Sequence, residues 1–510
     1  MNQDHNIQKV FVEITVDNKE RGLSIKEDIN SFLSIDVFPE IEKYINTLEY
    51  NSVDYTLQIP RLELNLDVKN GSLNTELKDK IIQIFKKEFS AISQSIVNVN
   101  QKTENESKAY LIGHQEKTLK AFLHFLEKGN MPWWNPERKG ISFLEPAVFN
   151  TLIAAENFEK SIVPLLSKQN VQDRMINQLS NEQIAQLCLV ILKNKELKLN
   201  LEAGTIRYLS KLSHPDRHII WRLILNIVSE YLRSSNSNTL KEYLIQQITK
   251  IETAGLLQTK NSRQDWTEIV KIFPFIKENE VSESIKINAK DSSKNTKTLK
   301  ERMESKNENA DKSVKEVMVN LGENKDEKEG EKVNLHEPIQ KDSDQNDGHY
   351  VQNAGLILIH PFIKTFFEHC DLLHPKTKQL TDPELAAHLL HYIATGNTNA
   401  PEYDMVFEKF LCNIPMNQSI NRHIKLSRKH KTQAKNVIES VQHNWAPMKK
   451  SSAALLQNEF FQRTGKLVIT DYDHTLTIER KAQDILLNKL TWGIGLFKLP
   501  WQEKFIFVNW

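Results

Sequence analysis

The sequence predicts an α+β chain that is predominantly α-helical. Three observations lead there. Apolar residues recur at helical spacing through most of the 510 residues. Strict apolar alternation is confined to short stretches near the two ends. One long polar stretch divides the chain. The expected arrangement is a small strand-helix-strand domain at 1–105, a helical middle at 106–278, a disordered charged linker at 279–350, and a C-terminal helical domain with a short β-hairpin at 351–510.

The first expected strand is Ile7 to Val16, where Val10, Val12, Ile14 and Val16 share one parity. Residues 23–48 then carry Ile25, Ile29, Phe32, Leu33, Ile41, Tyr44, Ile45 and Leu48 at helical spacing. Pro39 marks a helix start or a break within that stretch. A second strand is expected in "YTLQIPRLELNLDV", with a parity switch at Pro60 that suits a bulge and an end at Asn70-Gly71. Leu77 to Ile96 reads as another amphipathic helix.

In the middle segment, Leu119, Phe122, Leu123 and Leu126 form one stripe, and Gly129 stops that helix before "MPWW". Further helices are expected at "PAVFNTLIAAENF", "NEQIAQLCLVILKN", "DRHIIWRLILNIVSEYL" and "LKEYLIQQITKI". Ser180 and Gln183 have the spacing of a capping box. The pieces resemble stacked helical pairs without a fixed repeat period. The linker mixes both charges and is too poor in apolar residues to offset the entropy of ordering.

The last segment opens with "AGLILIHPFIKTFFEHCDLL". "DPELAAHLLHYIATG" carries helix punctuation at both ends: Asp382 as N-cap, Pro383 in the first turn and Gly396 as the stop. Helices are expected at "QAKNVIESVQHNW", "SAALLQNEFFQRTG" and "KAQDILLNKL", and a strand at "KFIFVNW". The hairpin is expected from Leu467–Ile469 and Leu476–Ile478 with Asp471-Tyr-Asp-His as its turn.

Composition narrows the function classes. Lys+Arg is 67 and Asp+Glu 66, a net charge of +1, so no global pull toward nucleic acid or acidic membranes is expected. The three cysteines are far apart and form no CxxC, which fits a reducing compartment. The N-terminus lacks a basic region followed by an apolar one, and no apolar run approaches the ~20 residues of a membrane span. These features suggest a protein made in the cytoplasm without membrane insertion.

Three features invite chemistry. Asp471, Asp473 and Thr475 match the Asp-x-Asp-x-Thr opening of dehalogenase-like Mg-dependent phosphatases. Only 35 residues follow Thr475, too few for the doubly wound sheet and magnesium acids such an enzyme needs, so a turn is favoured. His360, His369, His374, His388 and His391 lie close in sequence with Cys370, and His388 and His391 are spaced to share a helix face. Their spacing matches no familiar zinc pattern, and packed or surface histidines are favoured over metal. Half of the eight tryptophans fall between 445 and 510, with no dense basic patch beside them, so core or protein interface is favoured over base stacking. No catalytic residue, cofactor or metal ligand is expected.

Several stretches together resemble the contractile injection system tape measure proteins, components of phage-tail-like particles. They are "HNIQKVFVEITV" with "IPRLELNLDV", then "FLEKGNMPWW", then "NAGLILIHPFIKTFFEHCDLL" followed by "AAHLLHYIATGNTNAPEYDMVFEKFLCNIP". "HNWAPMKKSSAALLQNEFFQRTGKL" and "IERKAQDILLNKLTWGIGLFKLPWQEKFIFVNW" close the series. The resemblance implies a non-enzymatic structural or assembly protein, in a tape-measure or scaffold role. Its partners would be tube, baseplate or sheath proteins, met in the cytoplasm at assembly or within the finished particle. The matching positions expected to act as structural or interface anchors are Trp133, Trp134, Gly355, Pro361, Gly396, Glu402, Trp445, Gly465, Glu479, Arg480, Pro500 and Trp501. The competing expectations are the phosphatase using Asp471 and Asp473, and a helical protein-protein adaptor outside injection systems, stabilised by metal at His388 and His391.

Overall fold

The computed structural model describes residues 7–16, 18–47, 55–67, 73, 75–97, 110–135, 142–234, 237–257, 262–277, 280–281 and 348–510. Nearly all of the charged stretch at 279–350, and the Asn70-Gly71 pair, lie outside the described residues. The chain divides into two compact units, Met1–Lys120 and Ala121–Trp510.

In the first unit α1 (Lys19–Phe32) passes through one wider helical turn, Leu33–Val37, into α2 (Phe38–Thr47). Pro39 follows the wider turn directly, where its missing N–H interrupts the helical ladder. β1 (Tyr55–Gln58) pairs antiparallel with β2 (Tyr110–Gly113), and α3 (Thr75–Val97) lies between them in sequence. Phe32, Val37, Ile41, Phe85 and Phe89 form the core, where the Phe85 and Phe89 rings stack at 5.5 Å and Tyr44 meets both edge-on.

Two expectations are corrected here. Residues 7–16 form no ladder among the described residues; β1 has paired with β2 instead, a strand that alternation did not mark. The expected strand across 55–68 stops at Gln58, because Pro60 offers no N–H to continue the ladder. The strand-helix-strand order therefore holds, but with β1, α3 and β2 as its members.

α4 (His114–Lys128) runs from the first unit into the second and ends where expected. Gly129 takes φ +80 and its N–H bonds back to the Phe125 carbonyl at 2.8 Å. The helical part continues through α5 (Pro146–Ile153), α6 (Phe158–Ile162), α7 (Gln169–Gln178), α8 (Asn181–Ile191), α9 (Ala203–Leu209), α10 (His214–Ser234), α11 (Ser237–Thr253) and α12 (Ser262–Val270). Both halves of the Ser180–Gln183 capping box form at the start of α8. The buried Trp221 donates to Asn181 Oδ1 at 2.7 Å, which docks α10 on α8.

The C-terminal part combines helices with one mixed sheet. A 3₁₀ turn, Ala354–Ile359, leads into α13 (His360–His369). Then come α14 (Pro383–Thr395), α15 (Val406–Leu411), α16 (Arg428–Asn444) and α17 (Ala453–Leu456). The five strands are β3 (His349–Val351), β4 (Gly465–Ile469), β5 (His474–Ile478), β6 (Leu496–Phe497) and β7 (Ile506–Asn509), in the order β3-β4-β5-β7-β6. β4 and β5 are the expected hairpin, with Leu467 opposite Leu476. The sequence did not show that this hairpin lies inside a larger sheet, with β7 parallel to β5. "AQDILLNK" (Ala482–Lys489) is a 3₁₀ helix rather than the expected α-helix. Leu467, Leu476 and Ile506 are fully buried and join the helices in one core with Phe367, Phe407, Trp445 and Phe461.

That core is closed by a tight crossing. A Cβ on Gly355 would come within 1.7 Å of the Phe460 carbonyl oxygen, and one on Gly465 within 2.8 Å of Ala354 Cβ. Main chain therefore touches main chain where the 3₁₀ turn passes Gln457–Phe461, the wider helical turn after α17, and the Ala354 N–H bonds the Arg463 carbonyl at 2.9 Å. Gly355→Ala is expected to lower unfolding free energy by about 3 kcal/mol in urea titrations. Gly204→Ala, within α9 and where a Cβ meets nothing within 4 Å, should not lower it.

Candidate functional site

Glu402 is fully buried, and so is the guanidinium it faces. The short turn Glu402–Asp404 follows Pro401 and carries Glu402 inward with Tyr403. Arg174 on α7 reaches it with Nε 3.1 Å from Oε2 and Nη2 3.4 Å from Oε1. Lys409 on α15, also buried, donates to the same Oε1 at 2.7 Å. Tyr403 inserts beside this contact, with its ring 5.0 Å from Phe125 and 5.8 Å from Phe143. The carboxylate thus joins the helical part of the second unit to its C-terminal part.

Both cations have donors left over, and the loop after α15 absorbs them. Arg174 donates to the Asn417 carbonyl at 2.7 Å, and Lys409 to those of Met416 at 3.0 Å and Gln418 at 2.6 Å. Gln178 holds the Ile420 carbonyl at 2.8 Å and accepts the Glu402 N–H at 2.9 Å. Arg174 also bonds the Leu126 carbonyl at 2.6 Å, near the end of α4. Gly129 follows at once: a Cβ there would lie 2.5 Å from Glu402 Oε1 and 2.9 Å from Arg174 Nη2. The positive φ and the charge cluster demand glycine independently. Burial pushes the Lys409 ammonium below its ordinary range, against the pull of Glu402.

α14 grips the same loop from the other side. Glu384 Oε2 accepts the Asn421 N–H at 3.1 Å, and His388 Nε2 lies 2.8 Å from the Asn421 carbonyl. A carbonyl only accepts, so His388 carries its proton on Nε2. Burial raises the pKa of Glu384 and lowers that of His388. One turn on, His391 Nδ1 is 2.9 Å from Glu408 Oε1, which also receives Asn353 Nδ2 at 2.6 Å. The two histidines thus serve different partners. His360 meets the Ile357 carbonyl at 3.0 Å and stacks on Phe497, and His374 Nδ1 accepts loop N–H groups. Among the described residues no group of three or more His, Cys, Asp or Glu side chains is placed to hold a metal.

The remaining expected anchors fall in distinct places. Trp445 is buried, bonds the Leu486 carbonyl at 3.0 Å and meets Phe460 edge-on. Trp501 is buried against Phe367 and bonds the Leu411 carbonyl at 2.7 Å, while Pro500 before it is exposed. Gly396 caps α14 with φ +74, and Pro361 lies in the first turn of α13. Glu479 accepts from Thr464 Oγ1 at 2.6 Å and Arg480 donates to the Trp510 carbonyl at 2.9 Å. Trp133 and Trp134 are half-buried in a turn. Sequence reasoning missed Arg174, Lys409 and Arg463. Arg463 is buried and bonds Asp484 at 2.8 Å and the Glu479 carbonyl at 3.3 Å. Asp471 and Asp473 occupy the hairpin turn, with the Thr470 hydroxyl donating toward Asp473 Oδ1 at 3.0 Å and Tyr472 exposed at the tip.

Removing the shared anion strands two buried cations. Glu402→Gln is expected to cost about 3–5 kcal/mol in urea unfolding, and Lys409→Met less, because an intact Arg174–Glu402 pair remains. The lowered pKa of His388 favours its neutral form in the folded state. Its contribution to stability is full above about pH 6.5 and is lost as pH falls below that value. Glu384 has the opposite sign, so wild type must be compared with His388→Gln, which keeps an N–H donor for Asn421. The stability advantage of wild type over this variant is expected to shrink between pH 7.5 and 5.5.

No helix among the described residues is long and apolar enough to cross a membrane. No curated protein and no solved structure matches the chain. The model of one family, described as contractile injection system tape measure protein, matches residues 4–510. With that match spanning both compact units, the chain belongs to the contractile injection system tape measure protein family.

Proposed function

We propose that this protein is a non-enzymatic assembly factor of a contractile injection system, which engages tube or baseplate proteins through its folded surfaces. It acts in the cytoplasm while the particle is built, with protein partners and without nucleic acid. The family match along residues 4–510 carries the reading. The buried cluster around Glu402 supports the folded form of the action, since it ties residues 126, 174, 402 and 409–418 into one core.

A ruler in the literal sense is the second reading, favoured by the family's description. A ruler converts residues into length, about 1.5 Å per residue if helical. The longest helix among the described residues has 23 residues, about 35 Å. Its neighbours fold back into cores rather than extending it. Measuring would then fall to the charged stretch between the folded parts, which gives the two readings different outcomes.

Deleting the gene is expected to abolish particles or alter their length, seen by electron microscopy of particle preparations. Normal particles in that strain would reject both readings. A chain lacking residues 290–340 is expected to restore particles of normal length. Shortening in proportion to the deletion would replace the assembly factor with the ruler.

A further inference from the structure

The basic residues of the C-terminal part are gathered in one place. "RHIKLSRKHKTQAK", residues 422–435, holds six Lys and Arg residues and no Asp or Glu. It runs through the Ser427 cap into the first two turns of α16. Lys425, Arg428, Lys431 and Lys435 are exposed. The last three fall at i, i+3 and i+7, so they share one face of the helix. Packing does not call for them, because the buried face is Ala434, Val437, Ile438 and Val441. Cations in a first turn also oppose the helix dipole, and α16 has no acid there to offset them. Lys429 meets Asp371 at 2.6 Å, Lys435 meets Glu439 at 3.5 Å, and Lys431 lies 5.7 Å over the Tyr392 ring. In ion pairs among the described residues, two carboxylates thus answer six cations.

The complementary charge is in the same compact unit. The charged stretch between the folded parts mixes both signs, but unevenly. "KINAKDSSKNTKTLK", residues 286–300, has five lysines and one Asp. "ENKDEKEGEKVNLHEPIQKDSDQND", residues 323–347, has nine acidic residues and four lysines. The patch repels the first half and attracts the second. The second half lies outside the described residues and ends next to Gly348, just before β3. α16 packs against the 3₁₀ turn Ala354–Ile359 that follows β3, so the acidic half enters the fold close in sequence to an element touching the helix. Extended, those residues reach about 80 Å, while α16 is about 25 Å long. Tethering at this length gives roughly millimolar effective concentration. Exposed charge pairs are individually weak, and a tether lets several act together.

We propose that residues 323–347 dock on the basic face of α16 within the same chain, their carboxylates meeting Lys425, Arg428, Lys431 and Lys435. The contact belongs to the free chain and does not depend on the assembly role. It keeps the acidic half of the stretch against the folded unit, where it spans no length.

All three native cysteines are buried, so a dye coupled to the full-length Ser343→Cys chain reports on the acidic half. Its anisotropy is expected to fall by about half between roughly 50 and 500 mM NaCl, as salt screens the charges. At the lower salt, adding Lys425→Glu, Arg428→Glu and Lys431→Glu should already give the high-salt value. Acids at 428 and 431 complement the helix dipole, so α16 keeps its fold, which circular dichroism checks. Adding Glu327→Lys, Glu329→Lys and Glu331→Lys instead should have the same effect. Combining the two sets restores opposite charges and should restore most of the anisotropy. Lys449→Glu with Lys450→Glu, exposed beyond the other end of α16, should leave it unchanged. An anisotropy indifferent to the α16 reversal, or a combined chain no higher than either set alone, would overturn the proposal. The indifferent result is also what a patch reserved for an acidic partner protein gives. An anisotropy that rises with protein concentration would assign the patch to a second copy and overturn docking within the chain.

Discussion

The Glu402 carboxylate is shared by Arg174 and Lys409 inside a core where all three side chains are buried. A buried anion with two cations is a costly arrangement in isolation, because desolvation opposes each charge. It becomes tolerable only when the surplus donors also find partners. The backbone carbonyls of Leu126, Met416, Asn417 and Gln418 fill that need. This requirement shapes the neighbourhood. The end of α4 must deliver a carbonyl and then turn away without a side chain, which Gly129 does. The loop 416–421 must stay extended enough to offer successive carbonyls, and α14 secures it through Glu384 and His388. Apolar residues of similar volume could have bound the two parts at least as strongly. What charge adds is direction: only one docking of α7 on the turn at 402 satisfies every group.

A second corner obeys the same logic. Arg463 is buried beside the Gly355–Phe460 crossing and reaches Asp484, the Glu459 carbonyl and the Glu479 carbonyl. Asp484 also receives the indole N–H of Trp510 at 3.1 Å, and Arg480 holds the carbonyl of that residue. Trp501 ties the approach to β7 onto the end of α15 through the Leu411 carbonyl. The last strands are therefore fastened both to the sheet and to the helices beneath it. A part secured at this many points keeps a fixed surface.

How far the sequence could be read depended on the range of the interactions involved. Local rules succeeded. The Ser180 capping box, the Asp382 cap with Pro383 and Gly396, the stop at Gly129 and the β4–β5 hairpin each depend on residues within a few positions of one another. Pairings across the chain were not legible. Alternation marked residues 7–16 as a strand but could not supply a partner, and the short "YLIG" that did pair with β1 has too few positions to show a period. Glu402 stood out within a recognisable stretch, yet nothing near it in sequence points to Arg174, 228 residues away. Lys409 in "VFEKFL" looks like an ordinary surface lysine. Its burial follows from where α15 packs, a tertiary fact that no local pattern records.

The Asp-x-Asp-x-Thr stretch shows the same limit from the opposite side. In a phosphatase of that type the strand before the motif needs parallel neighbours, so that strand ends and helix N-termini converge on the phosphate. Here β4 leads into the motif, and both its neighbours, β3 and β5, run antiparallel. The Thr470 hydroxyl accepts the Asp473 N–H at 3.1 Å and the Tyr472 N–H at 3.3 Å while donating back toward Asp473. Thr475 is already in a strand, opposite Val468 and beside Phe507. The residues that spell a nucleophile loop are held by the geometry of a hairpin, and the neighbouring strands run the wrong way to convert one into the other.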